Sequence, residues 1–264
     1  MNSTEKVVAL MKILGQEPYV YGVTELGEMI GCGKSGTFKL LSVLVKEGLA
    51  AQTADHKYTL GIMTYLLGKR YEENVGVVRA VRPYMQKLRD LTGEAITFGM
   101  LVNGTPTSIC REEGTSLVRV MAHVGNSRPV YAGGIGMVLG AYMDPDDVRK
   151  MLMENPPKPF TSNTITDPYK VLEELAKIRK QGYAVREGDF DLDTITFGAP
   201  LLDKSGNAWA ALVMSAPRSR VDDVVRERYL FQVRDQPGAG LLDLSRVLLL
   251  YKGIYTFAYG GILT

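Results

Sequence analysis

Residues 31–41 read GCGKSGTFKLL, and the first part of the fold depends on which of two meanings its Gly-Lys-Ser carries. In a phosphate-binding loop this triplet closes a run that opens with another glycine five positions before its own glycine, so that successive backbone N–H groups wrap the phosphates. Position 28 is Glu28, with Gly27 one place off, and a carboxylate there would repel phosphate. Such a loop must also leave a buried strand. The preceding TELGEMIG instead carries Leu26, Met29 and Ile30 at helical spacing. The second meaning is a tight turn that opens a helix from about Lys34, with Phe38, Leu41, Leu44 and Val45 on one face and a stop at Gly48. The spacing favours the second.

Working outward, Ser3 or Thr4 is expected to cap a helix carrying Val7, Val8, Met11 and Leu14, which GQEPYVYG breaks. Thr24 is expected to cap the next helix. After Gly48, LAAQTADHKYTLG reads as two short strands around an Ala-Asp-His turn. Helix, helix, tight turn, helix and hairpin make a winged helix-turn-helix. Periodicity alone equally fits any small helical domain, and the polar side of the third helix tips the balance. Lys34, Ser35, Thr37 and Lys39 lie near its start, where a recognition helix meets base edges and phosphates. His56 and Lys57 fall at the wing tip, suited to backbone contact.

The chain has 264 residues, enough for one large or two small domains, and 45% hydrophobic residues, ordinary for a packed core. A net charge of +2 carries no global signal for nucleic acid, so any such contact must come from a local surface. Two cysteines, Cys32 and Cys110, build neither a disulfide framework nor a zinc pattern. The start MNSTEKVVALMKILG contains Glu5 and no long apolar run, which argues against a signal peptide. No apolar stretch approaches the roughly 20 residues that span a bilayer. The expectation is a soluble cytoplasmic protein with no cofactor, no metal and no membrane partner.

Residues 62–92 read as two helices with a break at Asn74 or Gly76 and a kink or restart near Arg82, ahead of Pro83. From Glu94 the pattern changes. AITFGMLVNGTPTSICREEG holds two strands around Asn103-Gly104, a strong hairpin pair, and SLVRVMAHVGNSRPV is expected to add another strand. GGIGMVLGAYM is a glycine-opened apolar helix. DPDDVRKMLMEN and DPYKVLEELAKIRKQGY are capped helices. TITFGAPLLDKSGNAWAALVMSAP supplies two strands joined at Asp203–Gly206. Helices over an antiparallel sheet predict an α+β ligand-sensing domain, closed by a helix at LLDLSRVLLL. The ending YKGIYTFAYGGILT has no account. An alternative is an enzyme acting on a small acid, with the first domain serving dimerisation. It lacks a site: His123 has no carboxylate or cysteine at ligand spacing, and no Gly-x-Ser-x-Gly elbow surrounds Ser215 to build a triad with His123 and Asp189.

Over roughly residues 4–230 the chain resembles the IclR family of bacterial transcription regulators. GKSGTFKLLSVLVKEGL is similar to that family's recognition helix. GAPLLDKSGNAWAALVMSAP is similar to its Ala-Pro-Val…Asp…Gly…Ala-Ala-Leu-Ser-Val-Ser-Gly-Pro segment, and YAGGIGMVLGAYM to the glycine-rich helix start leading into its effector pocket. Lys39 stands where the family has arginine, keeping charge but losing the bidentate fork, and Gly36 stands where it often has threonine. The resemblance implies a multi-domain chain. Residues 1–62 would form a winged helix-turn-helix of the all-α class, 63–76 a linker helix, and 77–264 an α+β, GAF/profilin-like effector domain. It further implies a homodimer or homotetramer on palindromic double-stranded operator DNA, and a small-molecule effector, commonly a carboxylic or aromatic acid. By the same resemblance the pocket involves Gly134, Ile135, Glu187, Thr194, Thr196, Val213 and Ser215, with Val213 replacing a serine. Glu187, Asp189, Asp191 and Asp193 form either an acidic rim, which would favour hydroxyls or a cation over a bare anion, or a solvated loop. Arg186 could pair with that run or meet a ligand carboxylate; the sequence leaves both open.

Overall fold

The computed structural model describes residues 1–235; LLDLSRVLLL and YKGIYTFAYGGILT lie outside the described residues. Two compact units divide between Val75 and Gly76.

In the first unit, α1 (Ser3–Leu14) starts one residue earlier than expected. Asn2 is its cap: the Asn2 side chain accepts the Glu5 N–H at 2.9 Å while the Glu5 carboxylate accepts the Asn2 N–H at 2.7 Å. In α2 (Val23–Met29) the expected cap, Thr24, lies inside the first turn, and the cap position is Gly22, whose N–H is taken by Glu25 at 3.3 Å. The turn that follows is tight: the Cys32 N–H donates to the Gly27 carbonyl at 2.8 Å. A Cβ on Gly27 would stand 2.7 Å from the Cys32 oxygen. The glycine that falls one place short of the phosphate-loop pattern is therefore required by packing.

Helix α3 (Lys34–Lys46) follows, then β1 (Ala50–Gln52) and β2 (Tyr58–Leu60), paired antiparallel. Leu10, Leu14, Leu26, Ile30, Leu41, Leu44 and Tyr58 are buried together. Val8, Met29, Phe38 and Val45, expected on buried faces, are exposed. On α3 the buried positions are Thr37, Leu41 and Leu44, which turns Phe38 outward. Helix α4 (Ile62–Val75) leaves Ile62, Tyr65, Leu66 and Leu67 exposed.

The second unit opens at Gly76, whose φ of 74° provides the expected break. Helix α5 (Val77–Thr92) then runs through Pro83 without the expected restart. Proline removes one ladder hydrogen bond, but Val77, Val78, Val81, Met85 and Leu88 keep one apolar face in the core, and that burial holds the helix.

Strands β3 (Ala95–Val102), β4 (Thr105–Glu112), β5 (Ala184–Glu187), β6 (Thr194–Leu202) and β7 (Ala208–Pro217) form one antiparallel sheet in the order β4-β3-β7-β6-β5. Asn103 and Gly104, both at positive φ, make the β3–β4 turn. On one face, Ile96, Phe98, Ile195, Phe197, Leu212 and Met214 meet α5 and α9 (Asp223–Asp235). The other face carries α6 (Gly134–Gly140), behind which lie α7 (Pro145–Glu154) and α8 (Pro168–Gln181), capped by Asp144 and Asp167.

The strand expected within residues 116–130 is a loop, with an isolated bridge between Ser127 and Thr107 in place of a strand. Its second half is tied to β4 by backbone hydrogen bonds, Ser108 N–H to Asn126 O at 3.1 Å, Gly125 N–H to Ser108 O and Arg128 N–H to Pro106 O, both at 2.7 Å. In its first half arginine side chains hold the carbonyls: Arg111 donates to Val120 O and Arg220 to Val118 O.

Candidate functional site

Two surfaces carry chemistry, one in each unit. On the first half of α3, Lys34, Ser35, Phe38 and Lys39 are exposed, followed by Ser42, Val43, Val45 and Lys46. Lys34 and Lys39 have no carboxylate within ion-pair distance among the described residues. Thr37, expected on this surface, faces inward and is fully buried. Its hydroxyl donates to the Gly33 and Cys32 carbonyls at 3.2 and 3.3 Å, tying the helix start to the turn. It holds the recognition-type helix in place and cannot reach a partner. His56 and Lys57 sit exposed on the β1–β2 turn, where His56 has a φ of 59°. Lys57 pairs with Asp55 at 3.2 Å. Hydrogen bonds from the Thr53 hydroxyl and then from Lys57 hold the Asp55 carboxyl below the usual carboxylate range. A phosphate would compete with Asp55 for Lys57, at little cost in water.

The second surface is a cavity of about 120 Å³ between the sheet and the start of α6, room for on the order of ten waters. Strand parity builds it. Alternate residues of a strand face opposite sides, and on the α6 side β3, β6 and β7 present small or polar groups: Thr97 and Gly99, Thr194, Thr196 and Gly198, Val213 and Ser215. Register places Thr97 beside Val213, and Thr196 beside Ser215. Helix α6 comes close because these positions are small. A Cβ on Gly99 would lie 2.6 Å from Ile135 Cγ2, and one on Gly134 would lie 2.6 Å from Val213 Cγ1 and 3.0 Å from Thr196 Oγ1.

Gly134, Ile135, Thr194, Thr196, Val213 and Ser215 all line this cavity. Glu187 does not: it pairs with Arg218 at 2.7 Å and Arg226 at 2.9 Å. The Arg226 hydrogen bond is the main cause that holds its carboxyl below the usual range; burial opposes it, and the charges of Arg218 and Arg226 add to the lowering. Thr196 Oγ1 is buried without a hydrogen-bond partner, the kind of group that a ligand satisfies.

The acidic run does not form a ring around the cavity. Asp189 is buried, accepts the Gly133 N–H at 3.1 Å and pairs with Arg186 at 2.8 Å. Arg186 also meets Glu174 at 3.3 Å, so its partners are protein carboxylates. Asp191 is exposed at the cavity's edge. Thr97, Ser108, Arg111 and Arg128 also line the cavity, and sequence reading missed them. Thr97 had a signal, as a polar residue at the pocket parity of an apolar strand. Arg128 had none, because it lies in the irregular loop before α6.

No group of three or more His, Cys, Asp or Glu among the described residues could hold a metal ion. None of their helices is long and apolar enough to cross a membrane.

A winged helix-turn-helix joined to a separate pocketed α+β unit defines a DNA-binding transcription regulator. Residues 3–54 match the IclR helix-turn-helix domain and residues 69–238 the bacterial transcriptional regulator IclR C-terminal domain, and the chain belongs to the IclR family. It is 29% identical over 231 residues to the HTH-type transcriptional regulator KdgR of Escherichia coli, covering 87% of this chain and 88% of that protein. Its fold matches a putative IclR transcriptional regulator from Silicibacter sp. TM1040 with a TM-score of 0.82 at 23% identity, over 93% of this chain and 96% of that one. It also matches an IclR homologue from Microbacterium hydrocarbonoxydans, complexed with 4-hydroxybenzoate, with a TM-score of 0.75 at 19% identity, over 90% of this chain and 100% of that one. The curated relatives are transcription regulators, not enzymes.

Proposed function

We propose that this chain is a one-component regulator whose DNA affinity is set by a small carboxylic or aromatic acid held in the second unit. On this reading residues 1–62 bind DNA, 63–76 form the linker helix, and 77–264 form the effector-binding domain. Lys34, Ser35 and Lys39 meet the major groove, joined by Phe38, while His56 and Lys57 reach the backbone. The ligand shifts the population between DNA-competent and incompetent arrangements. The observation that carries the reading is the cavity itself: a partly open, mixed polar space whose Thr196 hydroxyl is left unmet. The acid bound by the Microbacterium homologue supports the ligand class.

A homodimer or homotetramer on a two-fold operator fits the exposed apolar residues of α4. Ile62 is 70% and Tyr65 59% exposed, and a second copy would cover them. As a reader of bacterial DNA the protein would work in the cytoplasm.

The test is a gel shift with DNA from just upstream of the protein's own gene, run with nonspecific competitor across a salt series. A discrete, salt-sensitive complex that small acids release is the expected result. No specific complex at low salt, with or without acids, would sink the reading. A separate prediction concerns Thr196. Replacing it with valine removes a buried hydroxyl that has no partner. The ligand-free protein should gain up to about 1 kcal/mol of stability, read in thermal melts, while acids lose potency in releasing DNA. A variant less stable than wild type, with unchanged acid response, would contradict it.

A further inference from the structure

Three charged side chains that line the cavity, Arg186, Asp189 and Arg111, are held in ion pairs with other side chains. Arg186 has Asp189 and Glu174, and Asp189 additionally accepts the Gly133 N–H. Arg111, whose side chain is 4% exposed, pairs with Glu113 at 2.9 Å and donates to Thr97 Oγ1 at 3.0 Å and to the Val120 carbonyl. Arg128 differs. It lines the same cavity, lies with its guanidinium carbon 4.2 Å from the centre of the Phe190 ring, and donates to the Ser127 carbonyl at 3.2 Å. No carboxylate lies within ion-pair distance of it among the described residues. Partial burial of this charge without a counter-ion lowers its pKa, and such a charge favours the arrival of an anion.

A second feature steers the anion away from α6. The carboxylate of Asp189 already sits at the start of that helix, on the Gly133 N–H. A ligand carboxylate placed there would meet a fixed negative charge.

We infer that Arg128 is the anion-reading residue of this cavity, and that the effector is a small acid whose charged group meets Arg128 instead of the start of α6. The inference rests on the effector reading above and deepens it. Phe190 holds the guanidinium plane against its ring and gives the acid's apolar part a wall. Ile135 and Val213 supply apolar surface across the same small space. Thr196 Oγ1 offers a hydrogen bond to a second polar group. The cavity's size restricts the ligand to a compact molecule, and Arg128, its one cation without a carboxylate partner among the described residues, matches a monoanion.

The experiment uses the full chain and a matched set of benzoate, benzamide and benzylamine, which share a ring and differ in charge. Binding is measured by calorimetry and by thermal shift, with DNA binding assayed separately. Benzoate is expected to bind at least tenfold more tightly than the amide, with no response to the amine. Arg128→Gln should weaken benzoate at least tenfold and leave amide binding unchanged, and Arg128→Lys should recover part of the loss by restoring charge. Circular dichroism melts of both variants establish that they fold. Benzoate affinity unchanged in Arg128→Gln, or equal binding of acid and amide by wild type, overturns the assignment while leaving the effector reading standing. Wild type that binds none of the three overturns the assignment and the ligand class together, and the gel shift then judges the DNA-binding reading by itself.

Discussion

The Lys34→Ala/Lys39→Ala chain is expected to lose roughly 60-fold in DNA affinity per protomer at about 0.1 M salt, and its salt exponent should fall by about 1.8 per protomer. Each lysine that neutralises a phosphate releases condensed counterions, and each contributes about 0.9 to the slope of log affinity against log salt. In a two-fold assembly both changes double on the logarithmic scale. Both side chains are exposed on α3 and free of protein carboxylates among the described residues, so their removal leaves the fold of the first unit intact. Phe38→Ala is the contrasting arm. Phe38 is 54% exposed beside Lys39, and an apolar ring at that position contacts base methyl groups and not phosphate. Its loss should leave the salt slope unchanged while reducing the preference for specific over nonspecific DNA. Fluorescence anisotropy across a salt series reads both quantities. An unchanged slope in the double variant would remove α3 from the DNA-binding surface.

Phe38 also marks where sequence periodicity misleads. The winged helix-turn-helix was legible, because turn glycines, the hairpin and alternating apolar positions agree on it. The facing of individual side chains was not. Phe38, Leu41, Leu44 and Val45 satisfy a helical stripe, yet the structure buries Thr37 where Phe38 was expected. The turn decides this: the Thr37 hydroxyl closes on the Cys32 and Gly33 carbonyls, which keeps Thr37 inward and leaves Phe38 outside while Leu41 and Leu44 stay buried. Hydrogen bonding of a short polar side chain at a helix start outweighs the pull of one aromatic ring, and a scale of hydrophobicity cannot see it.

In the second unit the hairpin at Asn103-Gly104 and the helix caps Asp144 and Asp167 were legible for the opposite reason: each is set by local chemistry. The loop at residues 116–130 looked like a strand because it is rich in valine. The carbonyls of Val118 and Val120 are met by the side chains of Arg220 and Arg111 and not by a strand, and no local pattern could reveal that. The same applies to the cavity. Its sheet residues follow from strand parity and from the resemblance, whereas Arg128 belongs to that loop. Glu187 shows the converse. It stands on β5 within the segment that approaches the cavity, but Arg218 and Arg226 hold its carboxylate.

Gly136→Ala is expected to destabilise the second unit by about 3 kcal/mol or more, the upper end for overpacking a dense interior. An added Cβ would lie 1.9 Å from the Pro129 carbonyl oxygen and 3.5 Å from Arg128 Cβ. No side-chain rotation can relieve a clash with backbone, so either α6 or the Arg128–Val130 segment must move. For a unit of this size the melting transition should fall by roughly 6–12 °C. Gly68→Ala is the control with opposite sign. Gly68 lies within α4, and nothing stands within 4 Å of its Cβ position. There alanine should add up to about 1 kcal/mol, since glycine is the poorer helix former. Scanning calorimetry of the two variants separates the effects, because an unselective cost of replacing glycine would move both the same way. The clash also bears on ligand binding. Pro129 is the residue after Arg128, so a shift that accommodates the new methyl displaces the guanidinium as well. Any folded Gly136→Ala protein should therefore respond poorly to acids while its first unit still binds DNA. Melting and acid response both unchanged would show that α6 does not pack on the Pro129 carbonyl as described.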